Sequence, residues 1–219
     1  MTATVAIDTV LAVAADEIGY LEKLSPYYLD EKTRNAGDRN YTKYARDLDA
    51  IKNFYNTPKQ GAAWCDVFVD WCFVQAFGAE TAQKMLYQPD KSLGAGVKYS
   101  AQYYRNSAAW YATPQRGDQI FFGNKANQTY THTGLVEKIV GSTVYTIEGN
   151  TSNSSGVVSN GGGVYRKTSA LSSASIVGYG RPKWEIAAAQ SPSDGDIEAL
   201  IKSTVETMLK TALDGLTRE

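Results

Sequence analysis

Cys65, His132, Glu148 and Asn150 are the residues whose types and placement suit nucleophilic chemistry. Cys65 follows the break TPKQGAA and opens the apolar run WCDVFVDWCFVQAFG, Trp64 to Gly78. Such a run, closed by glycine, predicts a helix. At a helix N-terminus the dipole favours thiolate over thiol, and the unpaired N–H groups there can hold an oxyanion. His132 is the single histidine and lies in YTHTGLV, which alternates as a strand does. A cysteine on a helix start, a histidine on a facing strand and a third polar group beside the histidine make a nucleophile, its base and an orienting partner. TIEGN offers Glu148 and Asn150 for that third place. Judged on position alone, Cys65 and His132 also fit ordinary packed side chains.

Strand parity makes the arrangement conditional. Side chains alternate faces along a strand, so a one-residue slip moves all of them to the other face. A three-residue loop at Val140–Ser142 sets His132 opposite Asn150 and Gly134 opposite Glu148, which puts both polar groups on the His132 face. A strict two-residue turn at Gly141-Ser142 puts them on the other face. The triad therefore needs an odd loop or a bulge.

The other cysteine reads differently. Cys65 and Cys72 are seven residues apart in one helix, about 10 Å along its axis, beyond disulfide reach of roughly 7 Å between Cα atoms. Cys72, between Trp71 and Phe73, reads as a small buried hydrophobe. Asp66 reads as a first-turn acid serving the helix dipole. Gln60 is spaced poorly for an oxyanion donor, so the Cys65 backbone N–H takes that place.

One His and two Cys among 219 residues exclude several classes. A catalytic zinc usually takes two or three histidines, and a structural zinc takes four Cys or His ligands. No metal and no cofactor is expected. Lys+Arg 22 against Asp+Glu 23 gives a net charge of −1, without the basic excess that phosphate backbones require, so no nucleic acid is expected. No run of about 18 apolar residues marks a membrane span. The N-terminus has no Lys or Arg in its first twenty residues, and Asp8 and Asp16 interrupt its apolar stretch, so no secretory signal is expected. Instead Ile7, Val10, Leu11, Ala14 and Ile18 follow helical spacing, with Gly19 as the stop.

The first half of the chain is helical and the second half stranded, which predicts an α+β fold. A polar, Tyr-rich loop fills 20–39, and short helices are expected at 41–49, in AETAQKML and in VKYSAQYYRN. After Pro114, DQIFF, THTGLVEKIV, TVYTIEGN, GVYRK and SIVGYG are strands, with a Ser/Asn/Gly-rich loop at 151–163. A catalytic domain is expected over 1–186, a linker over 187–196, and an amphipathic helix over 197–219 that docks or drives homo-oligomerisation.

The segments WCDVFVDWCF, RGDQIFF, HTGLVEKI and YTIEGNTS, in that order, resemble a CHAP domain, a cysteine, histidine-dependent amidohydrolase/peptidase with a papain-like core. The likeness runs from roughly Ala14 to Lys183, and the Tyr-rich helical front resembles that of phage endolysins and wall-lytic proteins of Gram-positive bacteria such as clostridia. The resemblance implies Cys65 as nucleophile, His132 as base, Glu148 as the acidic third residue with Asn150 accompanying it, and peptidoglycan as partner. It matches Gly117-Asp118 to a Gly-Asp pair that opens the first strand, where a turn explains Asp118 as well. The family's calcium loop has no counterpart in YNTPKQGAAW, which lacks an acid. Trp64, Tyr103, Tyr104, Trp110 and Tyr130 are candidates to line a substrate groove, or core. The implied function is hydrolysis of a cell-wall amide, by an endolysin without a signal peptide or by an autolysin. A non-catalytic wall-binding module and an acyltransferase are the alternatives.

Overall fold

The computed structural model describes residues 1–89, 96–154, 156–157 and 161–189. Five helices come first: α1 (Ala3–Asp16), α2 (Lys43–Asp49), α3 (Cys65–Phe77), α4 (Ala79–Met85) and α5 (Val97–Asn106). Six strands follow: β1 (Trp110–Tyr111), β2 (Gln119–Asn124), β3 (Thr129–Val140), β4 (Thr143–Thr151), β5 (Gly163–Ala170) and β6 (Ile176–Gly180), then a short α6 (Glu185–Ala189). The strands form one sheet in the order β1-β6-β2-β3-β4-β5, with every neighbour antiparallel. This is the α+β arrangement expected.

α3 is the central post. Its residues from Cys65 to Phe73 are all buried, because α1, α2, α4 and the sheet surround it. That explains a helix apolar on every side. α1 packs on α3 and buries Ala6, Val10, Leu11 and Ala14; of the stripe read from sequence, Ile7 is half-buried and Ile18 falls beyond the helix end. Thr2 caps α1 and Thr42 caps α2 through their side-chain oxygens. The Tyr-rich segment after α1 is less open than a polar loop should be. Tyr20 is buried, and Leu21 and Lys23 form bridges to Gly163, Ala36 and Tyr41.

Two other expectations change. β1 lies where no strand was expected, and its two residues pair with Tyr179 and Gly180 on the sheet edge. Residues 187–189 belong to α6 rather than to a linker, and Ala187 is buried in the main core. The proposed helix over 197–219, and the oligomerisation assigned to it, lie outside the described residues.

Two carboxylates on α3 are buried. Asp70 accepts from Tyr55 Oη (2.8 Å) and Gln88 Nε2 (2.7 Å), while Gln88 Oε1 has no partner. Burial, and secondarily Asp66 about one turn away, push the Asp70 carboxyl well above the usual carboxylate range. A carboxyl whose folded pKa exceeds its unfolded value stabilises the fold below the unfolded value. That contribution is lost as pH rises through the folded value. A carboxyl at position 70 therefore costs stability at neutral pH. Asp70→Asn is expected to raise Tm at pH 7 by about 2 °C or more. The Gln88 amide can flip so that its orphan Oε1 accepts from the new Nδ2. Calorimetry checks this: the gain should shrink toward acid pH, and a Tm unchanged or lowered at pH 7 would contradict it.

Candidate active site

Cys65 is the first residue of α3, and Trp64 precedes it without a side-chain cap. The first-turn N–H groups are therefore free to point at the sulfur and at whatever it attacks. The thiol is 4% exposed. Burial pushes it up to about 12, and the Asp66 carboxylate pushes the same way. N–H groups of Asp66, Thr133 and Cys65 itself pull it back. The helix N-terminus acts in the expected direction but loses to desolvation, so the resting thiol keeps its proton. Both cysteines are free, and Cys72 is fully buried with its thiol also pushed up by burial.

α3, which Cys65 opens, packs on β3, and the Thr133 N–H, one residue after His132, is among the groups that act on the thiol. His132 has no exposed surface and stacks on Phe122, its cross-strand partner on β2, with ring centroids 5.9 Å apart. Its Nε2 lies 2.9 Å from Glu148 Oε2, and among the described residues its Nδ1 has no hydrogen-bond partner, the thiol included. Glu148 is 1% exposed, and its other oxygen accepts from Thr146 Oγ1 at 2.5 Å. A carboxylate that accepts at both oxygens requires Nε2 to carry the proton. Neutral His132 therefore presents a bare Nδ1 lone pair.

The parity condition is met by a bulge. Val140 pairs with Thr143, so the turn is the strict two-residue Gly141-Ser142. Between Val136↔Thr146 and Lys138↔Tyr145 the register shifts, and Glu137 is the extra residue on β3. With Leu135 opposite Ile147, Gly134 comes opposite Glu148. Gly134 also leaves Glu148 its room, since a Cβ there would lie 2.5 Å from Glu148 Cγ.

Asn150 is placed differently from its expected role. It follows a second register shift, between Glu148 and Thr151, and its φ is 54°. Its Oδ1 accepts from the Gly162 N–H at 3.4 Å, its backbone oxygen accepts from Gly161, and its Nδ2 is buried without a partner. Glu148, not Asn150, is hydrogen-bonded to His132.

Several lining candidates need correction. Trp64 and Tyr104 have no exposed surface. Trp64 donates to Glu22 Oε2 at 2.9 Å, and Tyr104 packs against Tyr87 and Phe121, so neither can touch a polymer. Trp110 and Tyr130 are half-buried and pinned by Arg105, which lies over the Trp110 ring and donates to Tyr130 Oη at 2.8 Å. Tyr103 is half-buried. Gln60 spends its amide on Thr42, accepting from its N–H and donating to its carbonyl. A cavity of about 560 Å³ lined by Leu24, Asp38, Arg39, Asn40, Tyr41 and Gly61 opens four residues upstream of Cys65.

Asp66 does more than serve its own helix. It accepts from Ser100 Oγ (2.8 Å), the Gly96 N–H (2.9 Å) and Gln119 Nε2 (3.0 Å), which ties α3 to α5 and β2. Gln119 also donates to Thr133 Oγ1. Asp118 accepts a two-pronged contact from Arg181 at 2.9 and 3.0 Å and caps the turn at Gln115, so the Gly-Asp pair is structural here. Thr146 escaped the sequence reading, although it stands two residues before Glu148 on the same strand face.

With this geometry in view, the family model described as the CHAP domain matches residues 57–150. The match contains Cys65, His132 and Glu148, and is shorter than the span of about Ala14 to Lys183 read from sequence. No curated protein and no solved structure matches the chain.

Proposed function

From a chain whose residues 57–150 match the CHAP-domain family model, we propose a cysteine amidohydrolase acting on peptidoglycan, with Cys65 as nucleophile, His132 as base and Glu148 as its orienting partner. One observation carries the reading. His132 Nε2 lies 2.9 Å from the buried Glu148 Oε2 and its Nδ1 has no partner among the described residues, while α3, which Cys65 opens, packs against the strand that carries His132. Contacts of this kind are often long before substrate binds and tighten in the complex.

The thiol proton passes to His132 Nδ1 as the sulfur attacks the amide carbonyl. The N–H groups at the start of α3 stabilise the oxyanion. The tetrahedral intermediate collapses to a thioester, and the leaving amine takes the proton from His132. Water then attacks the thioester with His132 as base. The acid leaves and the thiol is restored. Because burial keeps the resting thiol protonated, proton transfer accompanies attack rather than preceding it.

The substrate bond is the amide joining muramic acid to L-alanine, or an amide of the stem peptide or cross-bridge. The biological setting is wall lysis, as a phage endolysin or a bacterial autolysin. Turbidity of Gram-positive cell-wall suspensions tests the reading. The parent protein should clear them and Cys65→Ala should not. Equal clearing by both would overturn the mechanism. Binding without clearing by the parent would favour a wall-binding module.

A further inference from the structure

We propose that Thr146 is a positioning residue that selects the His132 tautomer through Glu148. The inference rests on reading Cys65 and His132 as nucleophile and base. Glu148 is buried, and its hydrogen bonds run to just two groups among the described residues, His132 Nε2 and Thr146 Oγ1. No Arg or Lys pairs with it. The Thr146 hydroxyl has a donor's role, because an ionised carboxylate only accepts. Held at Oε1 by that O–H, the carboxylate keeps Oε2 aimed at the imidazole, and toward that acceptor Nε2 holds the hydrogen. The tautomer that frees Nδ1 for the Cys65 proton is thus set two hydrogen bonds away from the imidazole, by a hydroxyl that touches neither reacting atom.

The placement follows from β4. Residues 146 and 148 share a sheet face by strand alternation. Backbone pairing to Lys167 and Tyr165 on β5 fixes both positions. Removing the hydroxyl leaves Oε1 buried without a donor, a state that carries the full desolvation penalty. The carboxyl relieves it by rotating or by taking a proton. Either change weakens its hold on Nε2–H and admits the other tautomer.

Because the chain has one histidine, ¹⁵N NMR reads this imidazole without overlap. The parent should show Nε2–H with Nδ1 unprotonated. Thr146→Val, equal in shape, should show mixed tautomers and lower kcat on a soluble muropeptide about tenfold, with KM within about twofold. Thr146→Ser should restore both. If Thr146→Val does not fold, Thr146→Ala gives the same two readouts. A parent-like tautomer together with a parent-like kcat in the folded Val or Ala variant would overturn the proposal. The tautomer readout does not depend on hydrolysis. A tautomer shift in a protein whose parent cleaves no muropeptide would sink the hydrolase reading and leave the positioning role standing.

Discussion

His132→Ala should reduce wall clearing by about 10,000-fold or more, as Cys65→Ala should, and the double variant should lose no more than either alone. Removing a base typically costs a smaller factor when another group can substitute. Here the chain has no second imidazole. The thiol next to Thr133 is pushed up to about 12 by its burial, so without a proton acceptor it stays protonated across the neutral range. Nucleophile and base act as one unit, which is why their losses should not add. Initial clearing rates of the three variants, with circular dichroism to confirm folding, measure this. A His132→Ala variant retaining a tenth of parental activity would show that the proton goes elsewhere.

Gly134→Ala is the second large expected effect, and it comes from a residue with no chemistry of its own. A Cβ at 134 would meet Glu148 Cγ at 2.5 Å and the Ile147 carbonyl oxygen at 2.9 Å. The first contact can be relieved if Glu148 turns away, which breaks its hydrogen bond to His132. The second is to backbone and forces β3 and β4 apart. Overpacking of this kind typically costs about 1–3 kcal/mol, which a domain of this size survives. Misplacement of an orienting group by about 1 Å can cost roughly 100-fold in rate. The expectation is a folded variant with clearing reduced by about 100-fold. Parallel measurement of Tm and clearing rate decides it. Full activity would mean that Glu148 does not need its present seat.

These expectations show how far the sequence reached and where it stopped. Cys65 was legible because a Pro/Gly-containing break before a long apolar run marks a helix start. His132 was legible because it is alone. Glu148 was reachable only conditionally. The two-residue turn at Gly141-Ser142 is a local property and could be read, but the extra residue at Glu137 is a matter of packing between β3 and its neighbours. A bulge leaves no distinct composition, so parity stayed open until the strands were placed. The Asp66–Gln119–Thr133 links were out of reach because Asp66 and Gln119 are 53 positions apart and meet only when α3 lies on the sheet.

Aromatic residues misled for a related reason. Trp64 and Tyr104 have the same side-chain chemistry whether they line a groove or fill a core. Only the acceptor on Glu22 and the rings around Tyr104 decide for the core. The thiol was misjudged because helix position is visible in sequence and burial is not. Thr146 is the instructive omission. Its position two residues before Glu148 in TVYTIEGN was enough to place it on the same face, and the question of what donates to a buried carboxylate would have found it.

We propose that Cys65 and His132 hydrolyse an amide in the bacterial wall. Mass spectrometry of purified peptidoglycan incubated with parent, Cys65→Ala and His132→Ala protein tests it most directly. The parent should yield fragments that carry one added water across a single kind of amide bond, and neither variant should yield any. Unchanged peptidoglycan with the parent, or the same fragments from all three proteins, would contradict it.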